Sequence, residues 1–502
     1  MASAMPTPPR LTSQPAARAA TLAQIGLLGG ALLFGLVYAW IVASRISYPF
    51  ELEWMEGATV DHVRRVLDGR PIYTAPTLEF IPFIYPPLYY YASALLAIPL
   101  GLGLFPLRLL SAAAATGSAL LVFDLVRRES RQTEAAILAG SLFLATYGAS
   151  GYWFDLARVD SLFVCLALAG VWALRFGAPG RGAVAAGLLF ALATLTKQSA
   201  LFVAVVLAGA QAAVVVRHRF TFVAAFAIPL AACVLLLDAA SDGWFRYYVF
   251  SLPAQHPWTP ELWLGFWTSD LLDVLPVAAG LSAYALIGSW SDRDRRGVLF
   301  AGLACGFIGT AYLGRLHEGG YLNTLMPAHA ALAVLFGLGY ARARSRLDAA
   351  GRPRPLMRLA LYAVCMVQFA LLVYNPIRQI PRREDEAAGQ RFVERVAAIG
   401  GEVYVPFHGH LPSLAGKTPL AHEMAIRDIF KGRDEPLARA LQAQIDDALR
   451  ARRFSAIILD SPSVFRTIDE SYAVSGPVFE DDRVFWPVTG KRTRPSAVHV
   501  PR

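Results

Sequence analysis

Apolar residues fall in blocks of about 15 to 22, a length that matches the hydrocarbon core of a bilayer. The blocks begin near residues 22, 86, 107, 133, 160, 183, 199, 220, 271, 298, 323 and 357, and they stop near residue 376. They are apolar on every face, whereas helices at the surface of a soluble core are striped. From about residue 384 the pattern changes. Residues 390–399 and 436–452 predict helices, and 402–406 and 454–460 predict strands, the second ending in Asp460. That alternation predicts a small α/β layer domain. The fold class that follows is an α-helical polytopic membrane protein with a C-terminal α/β domain. Residues 1–21, rich in Ala, Pro and Thr, predict a disordered N-terminus. The first apolar segment lacks a cleavage site and reads as a retained helix.

Charge placement decides how many blocks cross. Of the 502 residues only 17% are charged, against about 25% in soluble proteins. The net charge of +9 is carried mostly by Arg. In a membrane protein such an excess fixes orientation and needs no nucleic-acid partner. Arg10 and Arg18 put the N-terminus in the cytoplasm. If the block at 87–101 crossed, every later basic loop would lie outside; if it does not, all of them lie inside. Short, interrupted by Pro99 and led by Pro86 and Pro87, it reads as an interfacial or re-entrant helix. About eleven crossings remain by this rule. The expected units are a cytoplasmic tail at 1–21, a transmembrane domain at 22–378 with a first external loop at 45–106, and an extracytoplasmic domain at 379–502. The expected location is the inner (plasma) membrane. Cys165, Cys233, Cys305 and Cys365 lie in apolar blocks and read as small hydrophobes.

On this assignment the external loops hold nearly all the acidic and aromatic residues, which points to a site on that face. The first loop carries Glu51, Glu53 and Glu56 directly after a membrane helix. In a helix, Glu53 and Glu56 would share a face, repel each other and leave one carboxyl with a raised pKa suited to a base. As an alternative they are solvated interfacial acids. Asp155, Arg158 and Asp160 stand at the mouth of the next external helix, where charge is costly unless paired or wet. They either bind substrate or metal, or form an ion pair with an N-cap. Lys197 is the only lysine in the first 400 residues. A compact ammonium at the external surface suits a phosphate, the alternative being a snorkelling side chain. Tyr85 heads the aromatic start of the interfacial helix. Arg315, His317 and Glu318 form a charged turn before an apolar helix. His256 reads as a satisfied histidine more readily than a catalytic one. His408, His410 and His422 match no standard metal-ligand spacing. There is no phosphate loop, HExxH or paired-cysteine motif.

Taken in order along the chain, these features resemble the GT-C superfamily of membrane glycosyltransferases, in particular the group with protein O-mannosyltransferases and the lipid A aminoarabinose transferase. The carriers are Glu53 and Glu56, the Pro86-Pro87-Leu88-Tyr89-Tyr90 helix start, Asp160, Thr196-Lys197, and the Tyr321-Leu322…Pro327 helix. The resemblance implies a hexosyl- or pentosyltransferase using a polyprenyl-phosphate sugar, with a lipid, glycan or protein acceptor. Glu56 or Glu53 would deprotonate the acceptor hydroxyl, and transfer would invert the anomeric carbon. Lys197 would hold the phosphate, with Arg158, Asp160, Tyr85, Arg315, His317 and Glu318 around the substrate. The one cofactor left open is a divalent metal ion, with Glu53, Asp155 and Asp160 as candidate ligands. Competing readings are a lipid-linked sugar flippase or transporter, which should carry polar residues through the depth of its helices, and a membrane-anchored scaffold.

Overall fold

Each apolar block becomes helix in the computed structural model, which describes residues 13–214, 219–292, 296–349, 354–461 and 464–502. Residues 1–12 of the expected disordered tail, with Arg10, lie outside the described residues, as do Arg217, His218, Arg293, Arg295 and Arg352. The first helix is α1 (Ser13–Arg45). Residues 13–21, expected to be disordered, belong to it; Ala is the strongest helix former, and Pro15 sits in the first turn where its missing N–H costs nothing. The first loop then forms α2 (Glu56–Leu67) and α3 (Leu88–Leu100). Seven longer helices or turns of helix follow as α4 (Leu104–Ser130), α5 (Thr133–Ala145), α6 (Asp160–Phe176), α7 (Arg181–Thr196), α8 (Ala200–Val214), α9 (Arg219–Ala240) and the short α10 (Trp244–Arg246). The bundle closes with α11 (Leu262–Gly265), α12 (Pro276–Ser291), α13 (Arg296–Leu316), α14 (Met326–Asp348) and α15 (Pro355–Leu371).

Two sets of ion pairs mark the ends of this bundle. At one end Glu129 bridges Arg175 at 2.7 Å and Arg296 at 3.6 Å, joining the basic tips of α4, α6 and α13. At the other, Arg45 meets Asp155, Arg108 meets Glu56, and Lys197 meets Asp160. Helices α1, α4 to α9 and α12 to α15 carry the chain alternately between these ends, while α2 and α3 stay at the second. Leu95 and Ile98 of α3 are exposed. Among the described residues five helices suffice by length and composition to cross a membrane, or six if the pair at Leu262–Leu272 and Pro276–Ser291, bent by 94°, is one span. The remaining traverses are short; the 13 residues of α5 rise only about 20 Å at ~1.5 Å each. The count expected from charge is therefore not reached by length alone.

The C-terminal part contains α16 (Arg383–Ala398), α17 (His410–Leu414), α18 (Glu423–Lys431), α19 (Glu435–Arg450) and α20 (Ile468–Ser471). Its four strands are β1 (Val403–Tyr404), β2 (Ala456–Leu459), β3 (Tyr472–Pro477) and β4 (Ala497–Pro501), in sheet order β1-β2-β4-β3. Only β1 and β2 are parallel. This part does not keep a core to itself. Trp54, Tyr73 and Phe83 of the first loop pack in one apolar cluster with Tyr404, Phe407, Ile426 and Leu441. Backbone bonds stitch the same seam, from Ala421 N–H to Leu78 O and from Val488 N–H to Leu52 O. Each large side chain buried there is worth about 1.5–3 kcal/mol.

Candidate active site

A cavity of about 590 Å³ opens where the bundle meets the C-terminal part. From the membrane part it is lined by Glu53, Tyr85, Arg158, Lys197, His317 and Glu318, and from the C-terminal part by Arg427, Asp428, Lys431 and Lys491. Helix α2 begins only at Glu56, so residues 51–55 form an irregular turn and the two glutamates do not share a helix face. Glu53 reaches the cavity. Its Oε2 accepts from Met55 N–H at 3.2 Å and lies 3.7 Å from Arg158 Nη1. Burial pushes its carboxyl up to about 8; the Arg158 charge pulls the other way, and the Glu56 charge adds to the rise.

Glu56, expected as an alternative base, does not line the cavity. Fully buried, it takes Arg108 Nε at 3.0 Å and Nη2 at 2.7 Å, and accepts from the backbone N–H groups of Leu52 and Ala157, both at 2.7 Å. A carboxylate holding four donors in this way fixes the loop. Arg108 also donates to the carbonyls of Tyr48 and Phe50. Asp155 is likewise committed, to Arg45 through Nε at 2.8 Å and Nη2 at 2.6 Å and to the Tyr147 hydroxyl at 2.9 Å.

Asp160 collects three donors: Lys197 Nζ at 2.6 Å, Asn323 Nδ2 at 3.0 Å and Trp153 Nε1 at 2.9 Å. It therefore anchors Lys197 at the cavity wall. The three carboxylates expected as metal ligands are thus spent or apart, and among the described residues no three His, Cys, Asp or Glu side chains are grouped to hold an ion. Arg158, buried, donates to the Tyr85 hydroxyl at 3.2 Å, and its Nη1 has no hydrogen-bond partner. Two adjacent cations, one with unspent donors, suit a phosphate. Arg315 is not at the cavity: Asp270 holds its Nε at 2.8 Å and Gly320 O its Nη1 at 2.6 Å. His317 stacks on Trp258, and Glu318 pairs with Lys431 at 3.1 Å.

The C-terminal histidines serve the seam between the two parts. His408 sits between Glu51, in a short contact, and Asp460 at 3.0 Å. Burial alone would lower its pKa, but the two carboxylates raise it to about 10. His422 caps α18 by accepting from Met424 N–H, and its Nε2 meets the carbonyls of Trp54 and Phe407. Sequence reasoning missed Arg108, Arg427, Asp428, Lys431 and Lys491. An arginine five residues into an apolar helix was a usable signal for Arg108, but nothing local marks residues that reach the cavity from over a hundred positions away.

Gly490 has φ +75° and lines both this cavity and a second one of about 1060 Å³. A Cβ there would lie 2.7 Å from Glu53 Cγ. Gly490→Ala is expected to displace Glu53 and slow turnover by about a hundredfold while the protein remains folded. Steady-state kinetics beside a melting curve checks this.

No protein-family model and no curated protein sequence matches the chain. Solved structures do. ArnT from Cupriavidus metallidurans in the apo state aligns over 94% of this chain and 97% of its own, with TM-score 0.60 and 14% identity. The same protein bound to undecaprenyl phosphate aligns over 94% and 98%, with TM-score 0.61 and 13% identity. The Archaeoglobus fulgidus oligosaccharyltransferase in complex with Zn and sulfate covers 86% of this chain and 68% of its own, with TM-score 0.52 and 12% identity. The chain thus has the fold that ArnT and the archaeal oligosaccharyltransferase share.

Proposed function

We propose that this protein transfers a sugar from a polyprenyl-phosphate donor to an acceptor hydroxyl at the extracytoplasmic face of the plasma membrane. The observation that carries the reading is one cavity in which a buried carboxyl, Glu53, its pKa lifted to about 8 by burial and its ionised form the base, stands beside Arg158, with Lys197 on the same lining. Undecaprenyl phosphate in a structure of the same fold supports a lipid phosphate as the leaving group. Glu53 takes the acceptor proton, the freed oxygen attacks the anomeric carbon, and the carbon–oxygen bond to phosphate breaks with inversion. The phosphodiester carries one negative charge and the departing phosphate monoester up to two, so Lys197 and Arg158 bind the products of bond breaking more strongly than the donor. Asp160 holds Lys197 in place. The second cavity, which meets the first at Gly490 and Tyr321, gives the acceptor its own approach to Glu53. Because the ion pairs described above lie at the two ends of the bundle, a flippase pathway through its depth has little support.

The test is release of polyprenyl phosphate by detergent-purified protein from a panel of polyprenyl-phosphate sugars. Lys197→Ala is expected to lower kcat/KM by about ten- to a hundredfold, through loss of one charge-assisted contact. Wild type that neither binds nor turns over any of these lipids would overturn the reading.

A further inference from the structure

The cavity has a polar wall that this reaction leaves unused. Asp428, on α18, lines it and is 3% exposed, yet its Oδ1 has no hydrogen-bond partner among the described residues. His256, from the loop after α10, lines it too and is 6% exposed. Its Nε2 meets the Asp428 backbone carbonyl at 3.3 Å, which leaves Nδ1 as an acceptor, while Asp428 Oδ1 lies 3.9 Å away, beyond hydrogen-bond reach. Leaving a buried carboxylate oxygen bare costs about 1–3 kcal/mol or more, so a native fold that does so has a use for it. Lys431 on the same lining is taken up by Glu318 at 3.1 Å, so the bare Oδ1 of Asp428 faces the cavity as an acceptor. Two vacant acceptors, the carboxylate and the imidazole Nδ1, call for a neutral ligand that donates twice.

We propose that Asp428 and His256 form the subsite that reads the donor sugar, accepting hydrogen bonds from two neighbouring ring hydroxyls. This rests on the donor reading above and adds to it the ligand class, a neutral polyhydroxylated ring. It also gives the C-terminal part a direct role, because α18 supplies the carboxylate. The lipid phosphate stays with Lys197 and Arg158.

Binding separates the two claims. Bare polyprenyl phosphate and a panel of polyprenyl-phosphate hexoses and pentoses, each with a deoxy counterpart, are titrated into wild type, Asp428→Asn, Asp428→Leu, His256→Gln and Lys197→Ala. Wild type is expected to bind its preferred sugar-bearing lipid at least tenfold more tightly than bare polyprenyl phosphate, and to lose that margin with one deoxy analogue. Asp428→Asn and His256→Gln should bind bare polyprenyl phosphate as wild type does and forfeit the margin. Asp428→Leu should do the same and melt no lower than wild type, because it removes an unpaired buried charge. Retention of the full margin by Asp428→Asn and Asp428→Leu, or a margin absent in wild type, would overturn the subsite and leave the donor reading standing. If Lys197→Ala bound every lipid as wild type does, the phosphate assignment would fail independently.

Discussion

Glu53→Gln is expected to leave a folded protein whose turnover is at least about a hundredfold lower. With its carboxyl pushed up to about 8 by burial, Glu53 is mostly protonated at pH 7 and is close in charge and shape to a glutamine. The substitution therefore changes little in the resting protein and removes only the ability to accept a proton. The pH dependence has a definite sign. The active form is the carboxylate, so kcat/KM should be low below neutrality and rise through an apparent pKa near 8. Arg158 beside it favours the carboxylate, so Arg158→Gln should move that midpoint upward. Rates measured from pH 6 to 9.5 on wild type and both variants check this. A wild-type profile flat across that range, or full activity in Glu53→Gln, would remove Glu53 from the reaction.

Glu56→Ala should fail in a different way. It leaves Arg108, fully buried, without its bidentate partner and strips the acceptor from two backbone N–H groups. Removing one member of a buried ion pair typically costs about 3–5 kcal/mol. The variant should be recovered in low yield, melt at markedly lower temperature and lose activity in proportion to folded protein. Low activity at wild-type stability would instead return Glu56 to the chemistry. The two glutamates are three residues apart in sequence, and their contrasting phenotypes would assign each its role.

The sequence showed where the polar groups gather more clearly than how they divide the work. The helical blocks were legible because hydrophobic length is a local signal with a strong physical basis. Lys197 stood out as a lone lysine where orientation gives no reason for one. The choice between Glu53 and Glu56 was not legible. It turns on a helix that begins at Glu56 and not before it, and on Arg108, which arrives from another helix. That Arg315 and Asp155 are held by Asp270 and Arg45 was not legible for the same cause, since those partners lie 45 and 110 positions away. The boundary near residue 379 marks a change of composition. Packing does not follow it, because the core of the first loop closes on C-terminal strands and helices as well as on Phe245, Tyr248 and Leu252 of the membrane part.

That shared core sets an order in time. Glu51 and His408, which meet across the seam, are 357 residues apart in the chain. At a synthesis rate of about 5–20 residues per second, the loop carrying Glu53 waits roughly 20–70 s for its other half. Until then the apolar side chains that pack on the C-terminal part, such as Trp54 on Phe407, lack those partners. A ribosome that stopped after α15 would release a membrane bundle with no working cavity and an open loop for quality-control proteases to cut. The cavity is thus complete only once the C-terminal part that lines it has been made.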